Sequence, residues 1–181
     1  MIRKNNLNAG EGSVSAELKN LFTSIKINTM EVRNRAVMPA MATGYGNPDS
    51  TVSDRLIAYL ARRAKGGTGL IITEVCAIDP RGKGFGAEIG AWDDKFIPGL
   101  NKLAEAVHAE GARIALQLHH AGRETFEGIA GAKPEAPSPI PSPVLNQACE
   151  QMGVDRIRSL VAAYASAAAR AKKAGFDAVE V

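Results

Sequence analysis

Cysteine is nearly missing from this chain: 181 residues hold only Cys76 and Cys149. Lying far apart, the two make neither a close metal-ligand pair nor a disulfide framework, and the usage fits a reducing cytoplasm. Aromatic residues are few, at 5%, and the net charge is only +3. No basic run is interleaved with aromatics, so a nucleic-acid surface is not indicated. No apolar stretch approaches the roughly 18 residues that cross a bilayer. The N-terminus lacks the apolar core of a signal peptide. No G-x-G-x-x-G follows the first apolar run, which disfavours a dinucleotide-binding half. Gly82, Gly84 and Gly86 lack the lysine and serine spacing of a phosphate loop, so a flexible loop is expected there. What remains is an average soluble composition, 45% hydrophobic and 23% charged, in a chain long enough for one domain with a sizeable core.

Short apolar runs alternate with amphipathic stretches. Residues 1–20 are polar and read as a loose arm. Ala36-Val37-Met38 is a short strand candidate. Ser53 offers an N-cap to a helix that carries Leu56, Ile57, Leu60 and Ala64 on one face and stops at Gly66-Gly67. Gly69 to Thr73 is a continuous apolar run, as in a strand buried on both sides. Pro98 suits the first turn of a second helix bearing Leu100, Leu103 and Val107, which ends at Gly111. Ala112 to Leu118 is a third strand, and Gly131 to Pro143 reads as loop. A third helix over 155–173 carries Ile157, Leu160, Val161, Tyr164 and Ala168. A fourth strand opens near Phe176. This alternation predicts an α/β fold with a parallel sheet and helical crossovers, either doubly wound or one part of an eight-stranded barrel. The last residues, Ala178 to Val181, read as entering a buried strand, so the chain is expected to be the front of a larger domain, truncated at its fourth strand.

In such folds chemistry collects where strands end and the next loops begin. Those segments are Pro39 to Tyr45, then Glu74-Val75-Cys76-Ala77, then Gln117 to Arg123. His119 and His120 are adjacent, so at most one faces a site; loop anchoring is the plainer role for both. His108 reads as a surface residue. Tyr45 either reaches substrate or packs within its loop, and Arg123 either pairs with a loop acid or approaches a cofactor. Cys76 has no visible base partner, which argues against a reactive thiol. Glu74 is as well suited to pairing with a cation on a neighbouring strand.

Five segments resemble, in order, the Old Yellow Enzyme family of FMN-dependent oxidoreductases. They are Asn34 to Met41, Ile89 to Asp94, Ala115 to Arg123, Ala136-Pro137-Ser138, and Ala171 to Val181. Met41-Ala42-Thr43-Gly44 leans toward the branch holding 2,4-dienoyl-CoA reductases and trimethylamine dehydrogenases. The resemblance covers residues 21–181 and implies the first half of a TIM (β/α)8 barrel with FMN at the carboxyl ends of its strands. Carried over by position, Pro39, Ala40, Met41 and Ala42 lie along the flavin and Val75 sits near the ring, where a smaller residue is usual. Gln117 hydrogen-bonds the pyrimidine edge, because an amide offers both donor and acceptor.

In the intact enzyme, the resemblance implies, NAD(P)H reduces FMN, which passes hydride to the β-carbon of an activated alkene. The family's substrate-activating pair follows the fourth strand, and its phosphate loops come later still. This chain therefore carries no catalytic residue of the family's set, and neither alkene reduction nor firm FMN retention is expected of it alone. No metal ligand set is expected. The alternative is a non-catalytic fragment or split subunit that self-associates or pairs with a complementary C-terminal half. An unrelated aldolase- or synthase-like barrel ranks last, since Glu74 is the one acid plainly placed at a strand end.

Overall fold

The computed structural model describes Leu18 and residues 20–181. The expected arm over 1–20 lies outside the described residues, apart from Leu18 and Asn20. The described chain opens with an antiparallel hairpin, β1 (Ile25–Ile27) and β2 (Met30–Val32). Its turn places Asn28 at φ 52, a left-handed conformation that asparagine tolerates better than most residues. The short spacing of this hairpin left no clear periodic signal in the sequence.

Four parallel strands follow: β3 (Val37–Met38), β4 (Leu70–Ala77), β6 (Arg113–His119) and β9 (Ala178–Glu180). They lie side by side in chain order, with the short β5 (Ile89–Gly90) pairing with the far end of β4. The order shows no reversal among the described strands, whereas a doubly wound sheet reverses at its switch point. Among the described residues, β3 and β9 each keep one unpaired edge.

The crossovers are α1 (Asp54–Lys65), α2 (Ile97–Ala109) and α4 (Val154–Lys173). Ser53 caps α1 by accepting the Leu56 N–H, Asp54 sits in its first turn, and Gly66 closes it, as capping and the helix dipole favour. Pro98 occupies the first turn of α2, where its missing N–H leaves no helical bond unmade. All three helices share one sheet face: α2 packs against both α1 and α4. Leu56, Leu60, Leu100, Leu103 and Val107 meet Ile71, Ile114, Leu116, Ala167 and Ala171 in one core. Residues at this depth contribute about 1.5–3 kcal/mol each by burial of a large side chain. Among the described residues no helix is long and apolar enough to cross a membrane.

The opposite face is covered at its amino-terminal end by the hairpin, where Val32, Leu70 and Ala115 pack with Ile25, Met30, Ile72 and Ala178. Arg33, just after β2, donates to the carbonyls of Ala64 and Glu110. It thereby supplies a cation to the carboxyl ends of α1 and α2, where the dipole is negative.

Two expectations are corrected. Glu74 to Ala77, read as loop, belong to β4, because pairing with both β5 and β6 extends that strand to Ala77. The expected loop over 131–143 is not wholly irregular. Between β6 and α4 the chain makes a short helix, α3 (Glu127–Ala130), and a parallel pair, β7 (Glu135–Ala136) with β8 (Glu150–Gln151).

Candidate functional site at the carboxyl ends of the strands

A bulge in β4 sets the site. Ile72 pairs with Ala115 and Val75 with Gln117, so β4 advances three residues while β6 advances two. The extra residue shifts the side-chain parity. Val75 therefore returns to the face that carries Ile72, Ala115 and Gln117, where strict alternation from Ile72 would have put Glu74. Thr73, at the bulge, accepts the Gln117 backbone N–H at 3.2 Å. Gln117 is also in register with Glu180 on β9, and its Nε2 donates to Glu180 Oε2 at 2.8 Å.

Pro39, Ala40, Met41 and Ala42 leave β3 at the same end of the sheet. Met41 and Ala42 are exposed and Ala40 is half-buried, so the backbone of this segment is accessible. Glu74 anchors the segment. Its carboxylate is 2% exposed and accepts both the Thr43 N–H, at 2.7 Å, and the Thr43 hydroxyl. Among the described residues Glu74 thus pairs with no cation, correcting that expectation, and its Oε1 has no partner. A buried carboxylate held only by neutral donors is expensive, which points to a positional role for Glu74.

A second carboxylate, Glu88, is fully buried and bridges His119 Nδ1, at 2.8 Å, to the Gly84 N–H, at 2.6 Å. Cys76 is wholly inaccessible. Burial pushes its thiol up, and the Glu88 and Glu74 carboxylates push it further. It is no nucleophile, in line with its lack of a base partner.

Beyond these lies a knot of charge joining three loops. Arg156, at the start of α4, reaches Glu135 through Nε and Nη2 and Asp79 through Nη1 and Nη2. Arg81 adds Glu135 at 3.4 Å and Glu150 at 2.7 Å. The Gly122 N–H donates to His120 Nδ1 at 3.1 Å, which leaves the ring proton on Nε2, 3.4 Å from Glu135 Oε1. Burial pulls the His120 pKa below its usual value, outweighing the nearby carboxylates. Burial pushes Asp79 up, but Arg156 and the Arg81 N–H outweigh it and hold the carboxyl low. Asp79, His120 and Glu135 have ligand atoms within 4.8 Å of one another, as three metal ligands would. Arg156 is bonded to both carboxylates of this group, which gives them the partners of an ion-pair network.

His119 and His120 both anchor loops, as the plainer role implied. His108 is corrected: its Nε2 lies 2.7 Å from Asp177 Oδ2, tying α2 to the entry of β9. Gly82 is also corrected. It is buried in a turn, and an added Cβ would lie 2.5 Å from His120 Cδ2. Tyr45 packs edge-on against Tyr59 with the Arg55 guanidinium 3.7 Å over its ring. Arg123 donates to the Ile140 carbonyl at 2.8 Å, within its own loop. Sequence reasoning missed Asp79, Glu88, Glu135 and Arg156, which carry no local periodic signal. Two concavities, about 370 and 420 Å³, lie at the amino-terminal end of the sheet, lined by Arg33, His108 and Arg113 and by Phe176, Asp177 and Ala178 respectively. Neither touches Gln117, so they play no part in this site.

Residues 20–181 match the sequence profile of the NADH:flavin oxidoreductase / NADH oxidase family. The chain belongs to that family. It is 45% identical over 164 residues to an NADH oxidase of Thermoanaerobacter brockii, covering 90% of this chain and 25% of that one. A metal reductase of Desulforamulus reducens (strain ATCC BAA-1160 / DSM 100696 / MI-1) is 45% identical, over 89% of this chain and 24% of the relative. An NADPH dehydrogenase of Bacillus subtilis (strain 168) is 36% identical, over 90% and 48%. The fold is similar to that of morphinone reductase, with TM-score 0.82 and 35% identity over 90% of this chain and 47% of that one. It is also similar to a 2-naphthoyl-CoA reductase in complex with 2-naphthoyl-CoA, with TM-score 0.86 and 32% identity over 90% and 27%. The chain thus spans between a quarter and about half of the length of the curated relatives it matches.

Proposed function

We propose that the chain is the amino-terminal half of an FMN-dependent, ene-reductase-like TIM barrel, of the branch that includes 2,4-dienoyl-CoA reductases. Its family is one of NAD(P)H-dependent flavin oxidoreductases. The observation that carries the finer reading is the bulge that puts Val75 beside Gln117, at the strand end where the exposed 39–42 backbone emerges. The residues suit a flavin. Gln117 offers donor and acceptor to a ring edge that presents both, and Val75 with Met41 offers apolar contact. Bound there, FMN supplies the hydride chemistry, with NAD(P)H as reductant and a small activated alkene as substrate. This chain's own part is to position the cofactor: Glu74 holds Thr43 and the segment before it, and Gln117 meets the ring. A cytoplasmic setting belongs to the same reading.

A second reading, a split or non-catalytic piece that self-associates or pairs with a complementary C-terminal half, is favoured by an exposed apolar stripe on α4. Val154, Ile157 and Val161 are 63%, 43% and 66% exposed at helical spacing, and among the described residues the outer sheet edges are unpaired.

The visible absorption spectrum of the purified chain tests both. Little or no flavin, and no alkene reduction with NADPH and added FMN, is the outcome expected of an isolated half. Near-stoichiometric FMN with alkene reduction by the monomer would overturn the half-barrel reading. Flavin retained only in an oligomer would support the split-subunit reading.

A further inference from the structure

We propose that Glu180 is a positioning residue that fixes which way round the Gln117 amide meets its ligand. The inference rests on the flavin reading of the site and adds a residue to it. Gln117 and Glu180 are directly paired across β6 and β9, so their side chains share one face. A carboxylate oxygen accepts hydrogen bonds, so the amide must turn its Nε2 toward Glu180 Oε2, 2.8 Å away. The Gln117 backbone is pinned by its own N–H to Thr73 Oγ1, so the side chain swings from a fixed root. Among the described residues nothing donates to Gln117 Oε1. That oxygen is left to accept from the ligand, and the second Nε2 hydrogen is left to donate.

The pair therefore selects a ring edge with an N–H next to a carbonyl, the imide edge of a flavin. A flipped amide would set Oε1 against Glu180 Oε2, acceptor against acceptor, and lose that complementarity. Glu180 also places negative charge behind the amide, which polarises the Nε2 donor.

Nuclear magnetic resonance of the full chain tests this, following the Gln117 carboxamide protons and the backbone amides of Val75 and Gln117. In the wild type one Gln117 carboxamide proton is shifted downfield by Glu180. Glu180→Ala abolishes that shift, and Glu180→Gln weakens it because an amide at 180 can present either its oxygen or its NH2 to Gln117. Titration with lumiflavin and with 3-methyllumiflavin then reads the ligand edge. Blocking the imide N–H weakens binding about tenfold in the wild type, the size of one hydrogen bond, and less in Glu180→Gln. In Glu180→Ala, where the amide is free to flip, the discrimination falls to about threefold or less. Backbone amides distant from β9 report that each variant is folded. Gln117 protons unchanged in Glu180→Ala would overturn the proposal whatever the flavins do. Equal discrimination in the wild type and Glu180→Ala would also overturn it. A wild type in which millimolar lumiflavin moves neither amide, but whose Gln117 signature still depends on Glu180, would uphold the orientation and show that this half alone does not hold the ring.

Discussion

Arg156 binds Glu135 through two of its nitrogens at once, Nε at 2.8 Å and Nη2, both on Oε1. The Glu135 side chain is 3% exposed, and the same guanidinium bridges to Asp79. Two loops and the start of α4 are thereby fastened together. Arg156→Ala leaves a buried carboxylate with only Arg81 and the His120 ring, each 3.4 Å away. The expected loss is about 3 kcal/mol, read as a lower urea midpoint, together with faster proteolytic cleavage between residues 123 and 153. Arg156→Lys should restore little, because an ammonium cannot bridge both acids as a planar fork does. Unchanged cleavage in Arg156→Ala would remove the network from any role in holding the β6–α4 segment.

Acid should loosen the same knot through His120. Its pKa is lowered in the folded protein, chiefly by burial, while the unfolded chain titrates near the ordinary value of about 6.5. Below that pH the unfolded state takes up a proton that the folded state resists, so stability falls as pH drops from about 6.5 toward the folded pKa. Asp79 acts in a lower window: its pKa is held below 3.8, and its contribution fades as pH falls through that folded value. Urea midpoints at pH 7.5 and 5.5 should differ more for the wild type than for His120→Gln. Equal differences would assign the acid sensitivity elsewhere.

Gly82 and His120 should be strongly coupled. A methyl group at Gly82 would lie 2.5 Å from His120 Cδ2, and the Gly82 carbonyl accepts the Ala121 N–H at 2.8 Å, so neither side can retreat freely. Gly82→Ala is expected to destabilise by about 1–3 kcal/mol. Gly82→Ala combined with His120→Ala should lose less than the sum of the single variants, since the clash is gone once the ring is removed. Strict additivity in thermal unfolding would show that the contact is relieved by some other movement.

Glu74 should act through Thr43. Glu74→Gln keeps an acceptor for the Thr43 N–H and should hold the segment, whereas Glu74→Ala removes the acceptor of two hydrogen bonds. Hydrogen exchange at the Thr43 amide should then rise at least about tenfold, the value of a lost hydrogen bond, with little change in β6. Exchange that stays slow in Glu74→Ala would mean that Thr43 is held by the loop itself.

Much of the scaffold was legible because it obeys local rules. Ser53, Pro98 and Gly66 mark helix ends through hydrogen-bonding groups that their neighbours must satisfy. Leu56, Leu60, Leu103 and Val107 repeat at the helical period and are all buried. The ordered motifs from Asn34 to Val181 pointed to the flavin oxidoreductase family, and the family match over 20–181 agrees. The hairpin of Ile25–Val32 was not legible, since three-residue strands carry too little periodicity. Nor was the Asp79–Glu135–Arg156 knot, whose members lie up to 77 residues apart and meet only when the loops close.

The sequence by itself determined the alternation of strands and helices, the apolar faces and the identity of Gln117 at a strand end, because these depend on residues near one another in the chain. Tertiary structure alone decided which side chains share the face of Gln117. Alternation counted from Ile72 assigns that face to Glu74, but pairing with β6 inserts one extra residue, turns Val75 toward Gln117 and sends Glu74 inward to Thr43. A period of two fixes parity only where the ladder is regular, and whether it is regular depends on the partner strand.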